Sequence, residues 1–164
     1  MIDLFPMTEA DFLIVAETVG QIYAESLTKS GRISAEDAEE EARQTREGLI
    51  LGGLNAPNCY FLTIHEAADK PSLGHVILRV IPKPHRTVGE IWYIGVHEEH
   101  RGKGIGAEAL AALEVKARDL GVQQLDLQVF TDNDAAVALY DKVGYRPTSF
   151  FLSKALTEST KDKE

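Results

Sequence analysis

The segment His100-Arg101-Gly102-Lys103-Gly104-Ile105-Gly106 constrains this chain more than any other. Three glycines at alternate positions let a backbone turn tightly and let a ligand approach main-chain N–H groups. The run before it, Glu90 to Val96 (EIWYIGV), is aromatic and β-branched and reads as a strand. The run after it, Ile105 to Leu120, reads as a helix closed by Gly121. The chain therefore passes from a strand through a glycine turn into a helix. A helix N-terminus has unpaired N–H groups and a partial positive charge, which suits a phosphate. Arg101 and Lys103 add positive charge there, on a chain whose net charge is −9. A pyrophosphate is the natural ligand of such a turn.

Two other nucleotide-binding patterns compete for this segment. No stretch has the G-x-x-x-x-G-K-[ST] of a Walker loop. Gly104-Ile105-Gly106-Ala107-Glu108-Ala109 does fit the dinucleotide pattern G-x-G-x-x-A, with Asp126 about 20 residues on. That pattern starts at the strand end, whereas His97 to His100 intervene here. Asp126 falls inside its own strand, and the lead-in is three strands, not repeated βαβ units. A dinucleotide-dependent oxidoreductase is thus the weaker reading.

The rest of the chain supplies the frame. Residues 8–28 read as an amphipathic helix capped by Thr8, with Phe12, Val15, Val19, Ile22 and Tyr23 on one side. Ser34 to Leu49 reads as a second helix with Ser34 as its cap. The run Glu39 to Glu41 reads as a solvated face. Strands are expected at 60–65, 73–81, 90–96 and 123–130, a short helix at 134–143, and a last strand or two within 144–153. The order ααβββαβαβ predicts one α/β sheet of mixed direction. The 164 residues suit a single domain, 1–156, followed by a polar tail, 157–164.

Composition narrows the function class. The negative charge argues against general nucleic-acid binding. No apolar run approaches the roughly 20 residues of a membrane helix. The start, MIDLFPMTEADF, lacks the pattern of a signal peptide, and the single cysteine, Cys59, permits no intrachain disulfide. These features predict a cytoplasmic protein without a membrane partner. His65, His75, His85, His97 and His100 lack metal-ligand spacing, so no metal is expected.

Together the residues resemble the GNAT superfamily of N-acetyltransferases. Arg101-Gly102-Lys103-Gly104-Ile105-Gly106 matches its motif A, [Q/R]-x-x-G-x-[G/A]. Asn133, Ala136, Leu139, Tyr140, Gly144 and Tyr145 match its motif B, N-x-x-A-x-x-L-Y followed by G-[F/Y]. The match covers about Glu90 to Lys154; Glu98 departs from it, where relatives often carry proline. The resemblance implies an α/β GNAT fold with a mostly antiparallel sheet between helices. It implies transfer of an acetyl group from acetyl-CoA to a primary amine by direct attack in a ternary complex. Backbone N–H groups of Gly102 to Gly106 would cradle the pyrophosphate, with Arg101 and Lys103 beside it. The main chain of Ile94, Gly95 and Val96 would pair with the pantetheine arm, and a bulge there would aim an amide at the thioester carbonyl. Asn133 and Ala136 would lie along the same arm. Homodimers are common among such proteins.

Several roles have two readings. Asn133 contacts the coenzyme or merely caps the following helix, a task open also to Asp132. Tyr140 is a catalytic acid or an ordinary core residue. Glu90 is a catalytic base or a charge at a strand end. His97 and His100 are proton relays or surface histidines, with surface the simpler reading. Cys59 reads as a small packed residue, not a nucleophile. A non-catalytic acyl-CoA sensor on the same fold is the alternative function; it would keep the glycine turn but lack an acid and a base.

Overall fold

The computed structural model describes residues 1–154 and 156, so the polar tail 157–164 lies outside the described residues. In chain order the elements are β1 (Asp3–Pro6), α1 (Glu9–Lys29), α2 (Ala38–Gly52), β2 (Cys59–His65), β3 (Gly74–Lys83), β4 (Arg86–Val96), α3 (Ile105–Asp119), β5 (Gln124–Leu127) and α4 (Asp134–Lys142). The strands form one sheet in the order β1-β2-β3-β4-β5. The first three pairings are antiparallel, and only β4 and β5 run parallel, joined through α3. This is the mixed, mostly antiparallel sheet expected from the sequence. One parallel pair cannot supply the repeated βαβ units of a dinucleotide-binding sheet.

Side chains alternate across the strands and divide the core in two. On one face Leu62, Ile64, Val76, Leu78 and Ile91 pack against Ala109, Leu110 and Leu113 of α3, with Leu139 and Tyr140 of α4 alongside. Leu110 and Leu113 are wholly buried, each worth about 1.5–3 kcal/mol relative to exposure. On the other face Phe61 and Ile77 meet Phe12, Val15 and Ala16 of α1 and Leu49 of α2. The two helices pack closely at Gly20, where a Cβ would lie 2.5 Å from the Ala42 carbonyl oxygen. Arg46 bridges back to Glu17 at 2.7 Å. In the acidic run, Glu40 pairs with Arg43 on an exposed face.

Thr8 caps α1 as the sequence predicts. Its hydroxyl accepts the Asp11 N–H at 3.2 Å while the Asp11 carboxylate accepts the Thr8 N–H at 3.0 Å. Other expectations need correction. The edge strand β1 is an addition: four residues ending in proline offer too short an alternation to read. Ile22 is 44% exposed, off the row of Phe12, Ala16, Gly20, Ala24 and Leu27 that the helix buries. Ser34 caps a turn through the Asp37 N–H at 3.2 Å, and α2 proper begins four residues later, at Ala38. Strands β3 and β4 extend to a hairpin in which Lys83 pairs with Arg86, so Glu90 lies inside β4 instead of opening it. Residues 145–154 form no strand. Gly144 leaves α4 at φ +99°, and Pro147 has no N–H to give a ladder.

His75 is a buried polar residue in this frame, 7% exposed. It meets the His97 ring edge-on at 5.0 Å. Burial first, and then the neighbouring His97, hold its pKa down at about 4, against 6.5 for a free imidazole. The folded protein keeps His75 neutral, whereas the unfolded chain takes up a proton below 6.5. The stability it contributes is therefore present above pH 6.5 and lost as pH falls towards 4. At 1.36 kcal/mol per unit the full loss is about 3 kcal/mol. The expected outcome is that His75→Gln flattens the fall in Tm between pH 6.5 and 4, followed by circular dichroism.

Candidate active site

The site begins where β5 leaves β4. The two strands pair from Val88–Gln124 to Ile91–Leu127 and no further. β4 continues to Val96 in register with β3 alone. The backbone of residues 92–96 thus has a free edge facing the gap. Ile94 and Val96 turn their side chains to the α3 face. Gly95 lies between them, and the Tyr93 hydroxyl passes so close over its Cα that a Cβ has no room. Burial raises the pKa of Tyr93.

Register shifts between β3 and β4 at Ile77–Tyr93 and Leu78–Ile91, which leaves Trp92 as an extra residue. The bulge therefore lies at Trp92, not within Ile94 to Val96 as expected. Bulges re-aim side chains and break pairing, and this one coincides with the end of the β4–β5 ladder. Arg79 and Glu90 are cross-strand partners. Leu78 and Val80 face α3, so Arg79 and Glu90 face the opposite side. Glu90 accepts a hydrogen bond from the Trp92 indole N–H at 3.2 Å. On its other flank Glu90 pairs in register with Asp126 of β5.

Beyond Val96 a short 3₁₀ turn, Glu98–His100, leads to the glycine turn. The Arg101 side chain donates through Nε to the Val96 carbonyl at 3.0 Å, and Lys103 Nζ donates to the Glu99 carbonyl at 2.9 Å. Gly102 and Gly104 take φ of +73° and +82°, a region that L side chains enter only at a cost. A Cβ on either would meet nothing within 4 Å. Gly106 serves packing, since its Cβ would lie 3.1 Å from Leu139 of α4. Gly104 opens α3 with no side-chain cap. The backbone N–H groups of Gly102, Lys103, Gly104, Ile105 and Gly106 accordingly have no acceptor among the described residues. Five consecutive free donors at a helix N-terminus are a cradle for an anion.

Helix α4 closes the other wall. Asn133 is its N-cap, with Oδ1 accepting the Ala136 N–H at 3.2 Å. The cap reading is thus correct for Asn133 over Asp132, and the side-chain N–H₂ keeps its donors. Ala136 is half-buried and Tyr140 lies two turns after Asn133. The Tyr140 ring packs into the α3-side core and meets Tyr145 edge-on at 5.7 Å. Burial raises its pKa, and its hydroxyl makes no side-chain hydrogen bond among the described residues.

His97 directly follows β4, and His100 directly precedes the glycine turn. His97 is half-buried against His75, and His100 lies 3.9 Å from Glu99. Burial raises the Cys59 thiol pKa, the reverse of what a nucleophile needs. Among the described residues no three His, Cys, Asp or Glu side chains gather to hold a metal. No described helix is long and apolar enough to cross a membrane.

Residues 17–145 match the model of the acetyltransferase (GNAT) family. The chain is 32% identical to the uncharacterized N-acetyltransferase YycN of Bacillus subtilis over 93% of this chain and 97% of that protein. It is 33% identical to a second such protein of that organism, YdgE, over 92% and 95%. The crystal structure of YycN superposes with a TM-score of 0.89, covering 96% of this chain and all of the other. An acetyltransferase structure from Pyrococcus furiosus, 22% identical, shares the fold at a TM-score of 0.69. With motif, sheet and relatives in agreement over most of its length, this chain belongs to the GNAT acetyltransferase family.

Proposed function

We propose that the protein is an acetyl-CoA-dependent N-acetyltransferase acting on a primary amine by direct attack in a ternary complex. The observation that carries this reading is the cradle of five free N–H groups, Gly102 to Gly106, at one end of the free β4 edge. A pyrophosphate on the cradle and an extended amide arm along residues 94–96 fit the two features at once. Arg101 and Lys103 flank the anion, Ile94, Gly95 and Val96 supply strand-like main-chain partners, and the N–H₂ of Asn133 donates to the arm near Ala136. The bound thioester supplies the acyl carbon. Glu90 takes a proton from the attacking amine through water, and Tyr140 gives one to the departing sulfur. Burial raises the Cys59 thiol pKa, which disfavours an acyl-carrying thiolate and is in keeping with direct transfer. The acceptor is a primary amine; a homodimer is the proposed assembly and the cytoplasm the proposed compartment.

Isothermal calorimetry tests the donor assignment. Acetyl-CoA is expected to bind and NAD to give no heat of binding. Gly104→Ala places a methyl in the open space of the turn and strains a φ of +82°, costing about 1–2 kcal/mol of stability. It should weaken acetyl-CoA binding at least 10-fold. Gly121→Ala is the control, since Gly121 has a similar φ of +76° and open surroundings but lies beyond the far end of α3. It should carry a similar stability cost with unchanged affinity. Equal affinity in both variants would remove the cradle from the site.

A further inference from the structure

The proposed transfer leaves Trp92 without a task, and its placement is unusual. It is the one tryptophan of the chain and is 46% exposed. It is the extra residue of the β4 bulge, next to the last β4–β5 pair, Ile91–Leu127. Its indole N–H is committed to Glu90 Oε2 at 3.2 Å. The Arg79 guanidinium carbon stands 5.3 Å from the ring centre. No role in the core accounts for this residue: the ring belongs to neither apolar cluster. A large aromatic surface left in water forgoes roughly 25 cal/mol per Å² of burial, and a half-exposed ring so forgoes stabilisation that an apolar fold would otherwise use.

The geometry points to Trp92 as the acceptor-positioning residue, selecting a primary alkylammonium for Glu90; this rests on the function proposed above. An indole face attracts a cation within about 6 Å of its centroid, and a methylene chain packs on the same surface. Arg79 uses one part of the ring, and the exposed part is left for the acceptor. Two carboxylates on neighbouring strands, Glu90 and Asp126, outnumber the one guanidinium of Arg79 beside them, and the net negative charge favours a cation over an anionic acceptor. The acceptor arrives as its ammonium, because a lysine-like amine has a pKa near 10.4. One N–H proton passes through water to the Glu90 carboxylate, whose Oε2 also accepts the indole N–H. The freed lone pair forms the new C–N bond, the C–S bond breaks, and the sulfur leaves with a proton from Tyr140; the second N–H proton then leaves the nitrogen to give the neutral amide and, through water, returns the Tyr140 phenolate to the phenol.

The sole tryptophan makes this testable before the physiological acceptor is known. In the presence of coenzyme A, titration with n-hexylamine at pH 7 is expected to change the Trp92 emission saturably. Hexanol at the same concentrations should not. A response that is absent, or the same for both compounds, would overturn the inference. Steady-state kinetics with hexylamine then separate the two parts. Trp92→Leu should raise the amine KM at least 10-fold with the acetyl-CoA KM within two-fold. Trp92→Phe keeps the ring but loses the N–H. It should raise the amine KM less than Trp92→Leu does, since an aromatic face remains. An unchanged amine KM in Trp92→Leu, with Glu90→Gln impaired, defeats the role of Trp92 alone. Parental rates and profile in Glu90→Gln defeat the reading of Glu90 itself.

Discussion

Tyr140→Phe is expected to lower kcat about 100-fold while leaving acetyl-CoA affinity within a few-fold of the parent. Expulsion of the coenzyme sulfur as a thiolate is unfavourable at neutral pH, since a comparable thiol has a pKa of about 8.5. A donor that stays protonated throughout the neutral range removes this obstacle. Burial pushes Tyr140 above the ordinary phenol value, so its proton is available at every pH of interest. The substitution keeps the ring and its edge contact with Tyr145. No protein partner among the described residues loses a hydrogen bond, so stability should change little. The measurement is steady-state release of free thiol on an established acceptor, beside calorimetric affinity for acetyl-CoA. Full turnover would assign Tyr140 to packing.

Glu90→Gln should reduce kcat/KM by roughly 10- to 1,000-fold, with partial recovery at high pH. Well under 1% of a lysine-like amine is neutral at pH 7, so the carboxylate matters most where the ammonium dominates. Glutamine retains an oxygen that can accept the Trp92 indole N–H, so the geometry around the bulge should survive. The loss then reports proton transfer and charge, not folding. The pH–rate profile is the check: an enzyme that follows the parental profile after this change takes its base from water or from His97 or His100.

The strand-turn-helix core of the site was legible because its chemistry is local. Glycines at 102 and 104 are demanded by backbone angles of +73° and +82°, and a run of β-branched and aromatic residues before them leaves few alternatives. The first helix was legible for the same reason, since Thr8 and Asp11 cap it through neighbours three residues apart. What escaped depends on contacts distant in sequence. The strand Asp3–Pro6 exists because residues 62–65 offer it an edge. The bulge at Trp92 is a mismatch between two strands, so neither strand read alone reveals it. Glu90 looked like the start of a strand because Pro82 and Pro84 suggested a break, yet Pro82 pairs with Thr87 near the hairpin end. Arg79 and Asp126 stand beside Glu90 only through pairing across strands. The sole hint in the sequence was the i, i+2 spacing of Glu90 and Trp92, and the bulge alters the ordinary alternation there. The last strand expected within 144–153 is absent where local β-propensity meets Pro147, which has no N–H to give a ladder.

Catalysis of acetyl transfer to a primary amine can be tested in one assay. Purified protein is incubated with acetyl-CoA and a panel of amines: alkylamines, polyamines, aminoglycosides, amino acids, and peptides with free N-terminal or lysine amines. Free thiol release is followed, and product masses are read for the added acetyl group. At least one primary amine is expected to be acetylated, with thiol released in equal amount and the rate lowered by Tyr140→Phe. Tight acetyl-CoA binding with no acetylated product from any amine would contradict this and identify the chain as an acyl-CoA-binding module.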